Sequence, residues 1–354
     1  MIDWQLLLPT VVIIALGLTT LGSISLTLFY SQIVFLIFGL ILFIFLSRFH
    51  YQNHLYLTKI YAVILVILLV LPFIFGAVTR GSVRWVQIGS LTIQPSEIIK
   101  PLLIIILASF LAQTQRFHRL LRLLIYALII FIPALLIFKQ PDLGSTIVVI
   151  AIWIAILIAS DFPWIYSLLT LIFGLALSPL IIKFLRPYQQ QRLTSYLNPF
   201  ADPKTSGYHV IQSTIAVGSG GLWGRGLGHG IQSQLKFLPE RHTDFIFASL
   251  AEELGLIGSL ILLIAYFMLL KRLLNIARQA PDQFSCLIVI GVFSLLAFQA
   301  LVNISMNLGL LPITGITLPL VSSGGSSILA TMMALGLVNN ISSYQTHQHP
   351  LEIK

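Results

Sequence analysis

Long apolar segments alternate with short polar connections along most of the chain. A helix needs about 20 apolar residues to cross the hydrocarbon core of a bilayer, and the apolar segments come close to that length. They lie at residues 6–29, 31–47, 57–77, 97–113, 121–138, 144–160, 163–183, 246–270, 284–306 and 322–341. This pattern predicts an all-α integral membrane protein with about ten transmembrane helices, in which residues 1–354 form a single polytopic membrane domain.

The composition excludes a soluble globular protein. Of the 354 residues, 57% are hydrophobic and 9% are charged, whereas soluble domains carry about 25% charged residues. Such a chain cannot cover its own surface with polar groups, so lipid must be its solvent. The N-terminal sequence MIDWQLLLP has no basic region and no small-residue cleavage site. We therefore expect the first apolar segment to be a retained membrane span rather than a signal peptide.

Basic residues in the short connections predict the orientation in the membrane. On one side these connections carry Arg48, Lys59, Arg116, Arg119, Arg122, Lys271, Arg272 and Arg278, and on the other side Arg80, Arg84 and Lys139. The positive-inside rule places the first set in the cytoplasm together with both termini. The long loop at 184–245 is then extracytoplasmic.

The loop at 184–245 concentrates the polar chemistry of the chain. Much of the formal charge of +9 lies in or beside it, at Lys183, Arg186, Arg192, Lys204, Arg225, Lys236 and Arg241. Basic residues often only set orientation, but this clustering favours an anionic ligand or lipid headgroups at the surface. We expect membrane lipids, and not nucleic acid, among the partners. Spaced apolar positions at 208–218 predict a short interfacial helix within the loop.

Two carboxylates mark the return of the chain to the membrane. Asp244 suits the first turn of a helix, where the helix dipole favours a negative charge, but it could equally accept a proton or hold a metal ion. Glu252 lies eight residues later, on the same face of the predicted helix and roughly 12 Å along its axis. Because a carboxylate so deep in a span is costly, the two predict a polar stripe running into the bundle. Thr243 or His242 could cap that helix.

The segment GSVRWVQIGSLTIQPSEIIKP holds a second group of candidates. Ser96 resembles an N-cap, and Glu97 and Lys100 have the i, i+3 spacing of a helical ion pair. The adjacent Arg84 and Trp85 could form an interfacial anchor. Alternatively, the arginine could bind phosphate and the tryptophan could offer a flat face to a sugar or lipid.

Two more polar segments interrupt the apolar pattern. In KQPDLGST, Asp142 stands at the start of a span, where capping is the default interpretation. The segment LLPITGITLPLVSSGGSS, at 310–327, combines prolines, glycines and serines at membrane depth. Irregular backbone there must be buried in protein or line a polar cavity, so a broken or re-entrant helix is expected, with small-residue packing as the competing interpretation. Walker, zinc, serine-hydrolase and dinucleotide motifs are absent from the sequence.

Four motifs in the same order resemble the SEDS family of shape, elongation, division and sporulation proteins. They are RWVQIGSLTIQPSEIIK, KQPDLGST, GGLWGRGLGHGIQSQLKFLPERHTDFIFASLAEELGLIG and LLPITGITLPLVSSGGSS. The stretch QSQLKFLPERHTDFIF, and the lack of a long N-terminal extension, resemble the RodA branch more than the FtsW branch.

The resemblance implies a peptidoglycan glycosyltransferase of the bacterial cytoplasmic membrane. Such an enzyme polymerises lipid II into glycan strands at the outer membrane face, with undecaprenyl pyrophosphate as the leaving group, here for cell elongation and shape. Family members act with a class B penicillin-binding protein, a transpeptidase. The resemblance implies Asp244 as the catalytic residue, as a base or with a divalent cation, Mg²⁺ or Mn²⁺, and an important role for Trp85.

We expect further residues to contact the substrate. They are Arg84, Trp85, Glu97, Lys100, Asp142, Arg225, Lys236, Glu240, Arg241, His242, Glu252 and Ser326. A lipid II flippase is a competing interpretation, since broken helices and intramembrane carboxylates suit transporters, although no ladder of charged residues crosses the predicted core. A division-associated polymerase of the FtsW type and a non-catalytic scaffold also fit the sequence.

Overall fold

A computed structural model describes most of the chain. The described residues are 2–79, 82–88, 91–183, 185–197, 206–235 and 237–345. The elements are α1 (Trp4–Ile24), α2 (Leu26–Arg48), α3 (Asn53–Phe75), β1 (Gly76–Thr79), β2 (Ser82–Ile88), β3 (Leu91–Ile93), α4 (Pro95–Gln113), α5 (Arg119–Lys139), α6 (Leu143–Ile158), α7 (Trp164–Lys183), α8 (Pro187–Leu197), α9 (Ser206–Ser219), α10 (Ile231–Gln234), α11 (Ile246–Arg278), α12 (Gln283–Asn307) and α13 (Gly325–Gln345). Arg80, Lys204 and Lys236, named above, lie outside the described residues.

Each predicted apolar segment coincides with a helix, so the prediction of a polytopic helical membrane protein is confirmed. Seven described helices are long and apolar enough to cross a membrane: α1, α2, α3, α4, α5, α11 and α12. The other three segments correspond to α6, an apolar helix of 16 residues, and to α7 and α13. Helices α4 and α12 are the most deeply buried of the seven, and α4 packs against α3, α6, α12 and α13. The core therefore lies around α4 and α12.

The first two helices meet at a different residue from the one predicted. The segments 6–29 and 31–47 placed the break near residue 30, whereas α1 ends at Ile24 and α2 begins at Leu26. Ser25 between them is extended, with φ −165° and ψ 120°. Hydropathy does not show this break because both sides of it are apolar.

A small antiparallel sheet, not predicted from the hydropathy pattern, joins α3 to α4. The strand order is β1-β2-β3, with Ala77 opposite Trp85 and Gln87 opposite Thr92. The sheet holds Arg84 and Trp85 on β2, at the end of the bundle where α4 begins. Helix α4 starts with Pro95, and its N-cap residue is Gln94, so the prediction of Ser96 as the cap is wrong.

Within the long loop, the helix predicted at 208–218 is present as α9, and its position in the membrane interface stays a prediction. The glycine-rich segment after it packs on a kink in α11 at Gly255, where φ is +67° and ψ is −163°. Gly221 O accepts a hydrogen bond from Leu256 N at 2.9 Å, and Arg225 N donates to Glu252 O at 2.9 Å. At the kink, backbone groups of α11 lack helical hydrogen bonds and instead form hydrogen bonds with the backbone of the loop.

Ion pairs tie the helices together at the end of the bundle opposite the start of α11. Arg272 donates from Nη2 to Asp3 Oδ2 at 2.7 Å. The Arg122 guanidinium donates to both carboxylate oxygens of Asp161, at 2.6 and 2.7 Å. These hydrogen bonds outweigh burial and lower the pKa of the Asp161 carboxyl below its usual value. These two ion pairs therefore stabilise the packing of the helices.

Candidate active site

A cavity of about 420 Å³ lies at the end of the bundle where the long loop returns to the membrane. We call it the main cavity. Its walls come from α2, β2, the first turn of α4, the turn before α11 and the start of α13. It brings together seven of the predicted site residues: Arg84, Trp85, Glu97, Glu240, His242, Asp244 and Ser326. The sheet, an unpredicted element, delivers the first two.

Two buried asparagines of α12 hold the backbone at Asp244. Asn303 Nδ2 and Asn307 Nδ2 both donate to Asp244 O, at 3.1 and 2.9 Å. Asn307 Oδ1 also accepts from Ala248 N in the first turn of α11, at 3.1 Å. Both asparagine side chains are fully buried. The Asp244 carboxylate thus projects into the cavity from a backbone fixed on its inner side.

The irregular segment before α13 holds the two preceding residues. Ser323 N donates to His242 O at 2.8 Å, and Ser322 Oγ donates to Thr243 O at 2.7 Å. Helix α11 has Phe245 as its N-cap residue and no side-chain cap, so the predicted capping by Thr243 or His242 is wrong. Residues 310–324 instead provide irregular backbone against the site before α13 begins at Gly325. The irregular backbone agrees with the prediction, but the expected broken or re-entrant helix is not formed by these residues.

Asp142 joins three elements beneath the main cavity. Its Oδ1 accepts from Ser145 N at 3.1 Å, which confirms it as the cap of α6. Its Oδ2 accepts from Gln94 Nε2 at 2.7 Å and from Ser96 Oγ at 3.1 Å. Arg84 Nη1 lies 3.9 Å from Asp142 Oδ1. The carboxylate is 3% exposed, so it orients its neighbours rather than facing the cavity.

Glu97 lines the main cavity, and a buried lysine neutralises its charge. Lys100 Nζ donates to Glu97 Oε1, and the lysine side chain is 1% exposed. The predicted ion pair is therefore confirmed, but Lys100 does not line the cavity. Ser326 Oγ accepts from Gln94 N at 2.8 Å, which links the start of α13 to the start of α4.

A second, smaller pocket of about 150 Å³ adjoins the main cavity. We call it the side pocket. It shares Arg84, Glu240 and Asp244 with the main cavity and adds Arg192 of α8. Gly315, with φ +74°, lies near both Asp244 and Arg192: a Cβ there would lie 3.6 Å from Asp244 Oδ2 and 3.7 Å from Arg192 Nη1. Asp244 therefore stands at the junction of two spaces.

Several predicted basic residues lie outside both spaces. Arg225 is exposed and donates from Nε to Ser219 O at 3.2 Å, within its own loop. Arg241 lines neither pocket; burial lowers the pKa of its guanidinium, against the opposing effect of the Glu253 charge. Lys236 lies outside the described residues.

Glu252 binds residues of the long loop and does not form the predicted polar stripe into the bundle. It is fully buried, and its carboxylate accepts from Gln232 N at 2.8 Å, from Ser233 N at 2.9 Å and from Ser233 Oγ at 2.8 Å. It lines neither the main cavity nor the side pocket. The inference that Asp244 and Glu252 share a helix face is wrong because α11 begins at Ile246, so Asp244 is not on the helix.

No group of three or more His, Cys, Asp or Glu side chains that could hold a metal ion occurs among the described residues. Asp244 and Glu240 both line the two spaces and could contribute oxygen ligands. Mg²⁺ is commonly held by one or two carboxylates, with water and substrate phosphates completing its shell. The donor set therefore fits a cation brought with a phosphorylated substrate better than a closed protein site.

Sequence reasoning missed several residues that build this site. Asn303 and Asn307 are polar residues at i, i+4 spacing in an apolar span, a pattern that indicates a buried, paired face. Spacing alone could have identified them. Gln94, Ser322 and the packing of Arg192 beside the site carry no comparable signal, because their roles depend on how separate segments meet.

The fold and site together define a polytopic membrane protein with a carboxylate-lined cavity at one end of its helix bundle. The FtsW/RodA/SpoVE family model, described as "Cell cycle protein", matches residues 2–347. The chain belongs to this family, as the sequence motifs predicted. It is 44% identical over 284 residues to peptidoglycan glycosyltransferase MrdB of Escherichia coli K12, covering 80% of this chain and 77% of that protein.

Solved structures agree with this assignment over almost the whole chain. One is a chain from a study of how a peptidoglycan synthase complex coordinates polymerization and crosslinking, with a TM-score of 0.85, 32% identity and coverage of 98% of this chain and 99% of that one. Another is the rod shape determining protein RodA of Thermus thermophilus, with a TM-score of 0.74, 30% identity and coverage of 98% of each chain. The likeness thus extends to the loop and site as well as to the spans.

Proposed function

We propose that this protein polymerises lipid II into glycan strands at the outer face of the bacterial cytoplasmic membrane, for cell elongation and shape. The predicted enzyme class, peptidoglycan glycosyltransferase, is confirmed by the curated relatives that carry this name. The assignment to elongation rests on the RodA-like motif around Asp244.

The placement of Asp244 is the observation that carries the proposal. Its backbone is fixed by Asn303 and Asn307, while its carboxylate lines both the main cavity and the side pocket. Glycosyl transfer needs a base within hydrogen-bond reach of the attacking hydroxyl. A carboxylate held in this way, beside Arg84 and Trp85, suits that role.

The reaction follows from these positions. The hydroxyl oxygen of the acceptor sugar attacks the anomeric carbon of the donor, and its proton passes to the Asp244 carboxylate. The bond between the anomeric carbon and the diphosphate oxygen breaks, and its electron pair leaves with the polyprenyl diphosphate. Arg84, on the cavity wall, offsets the charge that develops on the leaving group. A divalent cation at Asp244 and Glu240 would supply further charge neutralisation when bound.

Orientation and partner are part of the same proposal. The basic connections Lys271–Arg278 and Arg116–Arg122 lie at the end opposite Asp244, and the positive-inside rule favours that end for the cytoplasm. The site then faces outward and both termini face the cytoplasm. A class B penicillin-binding protein is the proposed partner, supported by the likeness to a chain of a peptidoglycan synthase complex.

Polymerisation of labelled lipid II by the purified protein with a class B penicillin-binding protein tests the proposal. Wild type should form glycan chains, and Asp244→Asn should lower the rate by about 100-fold or more, the usual contribution of a general base. Asp161→Asn is a matched control at the opposite end and should keep polymerase activity in the folded protein. Full activity of folded Asp244→Asn would remove the assigned role.

A flippase predicts a different result in the same preparation. Translocation of lipid II in liposomes without glycan chains from wild type would favour transport. The charged groups at the opposite end are engaged in structural pairs such as Arg122–Asp161 and Arg272–Asp3, and neither pair lines the main cavity or the side pocket. This arrangement favours chemistry at one membrane face over passage across it.

A further inference from the structure

Arg192 of α8 is a cation beside Asp244 that neither the motifs nor the proposed mechanism uses. Its guanidinium donates from Nη1 to Ile313 O at 3.3 Å and lies 5.8 Å from the centre of the Tyr188 ring. Tyr188 Oη donates in turn to Pro141 O at 3.0 Å, which fixes α8 against the turn before α6. Arg192 is therefore held at the side pocket by Ile313 O and by the Tyr188 ring of its own helix.

The charge of Arg192 acts on its surroundings. Burial, with a smaller contribution from the Arg192 charge, lowers the pKa of His209 on the neighbouring helix α9. Arg84, at the boundary of the two spaces, has a buried Nε for which the described residues provide no hydrogen-bond acceptor. A buried donor without an acceptor is costly unless a ligand or water completes it. Two guanidinium groups thus border one small space, and one of them has an unfilled donor.

The balance of charge differs between the two spaces. The described lining of the main cavity includes one arginine, Arg84, and three carboxylates, Glu97, Glu240 and Asp244. The side pocket has two arginines, Arg84 and Arg192, and two carboxylates. An anionic group therefore meets less repulsion and one more bidentate donor in the side pocket.

The volumes of the two spaces also favour an anionic group in the side pocket. Small-molecule sites usually have volumes of about 300–1,000 Å³, and the main cavity, at about 420 Å³, falls in that range. The side pocket, at about 150 Å³, falls below it and suits a compact group such as a phosphate or diphosphate. A sugar therefore fits the main cavity, and a diphosphate group fits the side pocket.

The position of Asp244 connects the two assignments. When a hydroxyl displaces a diphosphate in line, the nucleophile and the leaving group lie on opposite sides of the attacked carbon. Asp244 stands between the spaces, and Arg192 faces it across Gly315. A base at this junction can take the proton of a hydroxyl in the main cavity while the leaving group lies in the side pocket.

We propose that the side pocket is the subsite for the donor diphosphate, held by Arg192 and Arg84, and that the acceptor sugar approaches Asp244 through the main cavity. This inference rests on the proposed glycosyl transfer and assigns donor and acceptor to its two spaces. In the balanced step, the anomeric carbon exchanges its bond to the diphosphate oxygen for one to the acceptor oxygen. The diphosphate takes the electron pair and Asp244 takes the proton.

Binding of farnesyl diphosphate to the full-length protein in detergent, measured by titration calorimetry, tests the subsite without requiring catalysis. Wild type should bind farnesyl diphosphate, and inorganic pyrophosphate should compete, whereas farnesol should not bind at the pocket. Arg192→Gln should weaken the diphosphate affinity about 10- to 100-fold, the value of a charged hydrogen-bond pair. Arg192→Lys keeps the charge without the planar fork and should recover part of the loss.

Arg186→Gln is the matched control. It removes the same charge just before α8, at a residue that lines neither space, and should bind farnesyl diphosphate as wild type does. Thermal unfolding confirms that each variant is folded; if Arg192→Gln fails to fold, Arg192→Lys decides by its affinity, which should still be reduced.

The outcomes separate the inference from the function on which it rests. Undiminished diphosphate affinity in folded Arg192→Gln, in a protein that polymerises lipid II, overturns the subsite and leaves the polymerase intact. A wild type that binds diphosphate through Arg192 but makes no glycan refutes the polymerase and supports the anion site. If short-chain phosphatidylglycerol competes as well as pyrophosphate, the pocket takes phospholipid headgroups, and the donor assignment is overturned.

Discussion

Replacing Asn307 by leucine should slow the proposed glycosyl transfer about 100-fold while leaving the Asp244 carboxylate in the chain. Asn307 Nδ2 donates to Asp244 O at 2.9 Å and to Asn303 O at 2.8 Å, and its Oδ1 accepts from Ala248 N at 3.1 Å. Leucine has a similar branched shape but makes none of these bonds. The turn that carries Asp244 and the first turn of α11 then lose a shared anchor.

The expected loss of stability depends on which polar groups lose their hydrogen-bond partners. Asp244 O keeps its bond from Asn303 Nδ2, whereas Ala248 N loses its side-chain acceptor inside the protein. A buried polar group without a partner costs about 1–3 kcal/mol, and each lost hydrogen bond about 1 kcal/mol. We expect Asn307→Leu to lose about 2–4 kcal/mol of stability. A displacement of the reacting group by about 1 Å can lower the rate about 100-fold.

Lipid II polymerisation and thermal unfolding should be measured together on the purified variant. A folded Asn307→Leu protein should show a kcat about 100-fold below wild type with KM nearly unchanged, because the anchor positions the base and not the substrate. Gln299, two turns earlier on the same face, is buried, and its Nε2 has no acceptor among the described residues. Gln299→Met should therefore keep both stability and rate. Wild-type kcat in folded Asn307→Leu would refute the positioning role.

Three other changes test the surrounding fold. Glu252→Leu removes the acceptor for Ser233 N and Oγ and should loosen the loop, seen as faster limited proteolysis at 219–235; a selective rise in KM with an intact loop would contradict this structural role. Gly255→Ala should lower the free energy of unfolding by about 3 kcal/mol or more, because its φ of +67° and a Cβ 2.2 Å from Gly224 N leave no room. Gly218→Ala, with open space around it, should leave that free energy unchanged or raise it, as measured by calorimetry. Asp161→Asn should cost about 1 kcal/mol at pH 7, because the partial exposure of Asp161 screens its ion pair with Arg122. Since the pKa of the folded Asp161 carboxyl lies below the ordinary value of about 3.9, the stability advantage of wild type should be full above that value and vanish as the pH falls through the folded pKa; a difference that persists unchanged at pH 2 would contradict this.

The hydropathy pattern contains the spans but not the points where they bend or break. Each predicted apolar segment corresponds to a helix, because burial in lipid requires both apolar side chains and internally paired backbone. The break at Ser25 and the kink at Gly255 depend on single residues within apolar runs. The sheet that carries Arg84 and Trp85 is too short to produce a decisive alternation.

The local part of the site was predictable, and the part formed between distant segments was not. The Glu97–Lys100 pair and the Asp142 cap lie within one turn of their own helices, so spacing alone identifies them. The proposed stripe from Asp244 to Glu252 failed because it extended helical periodicity past the first residue of α11. Arg192 comes next to Asp244 through the docking of α8, and no periodic pattern encodes that contact.

Hydrogen bonds from distant segments leave the backbone at Asp244 little freedom to move. Three successive carbonyls, from His242 to Asp244, are bound by residues of α12 or of the segment before α13. Arg84 and Arg192 reach Asp244 from the small sheet and from α8, and Arg192 is held there by Ile313 O and the Tyr188 ring. In the proposed transfer, the carboxylate that accepts the proton and the nearby cations are therefore positioned before the substrates bind, which is the arrangement that stabilises developing charge most effectively.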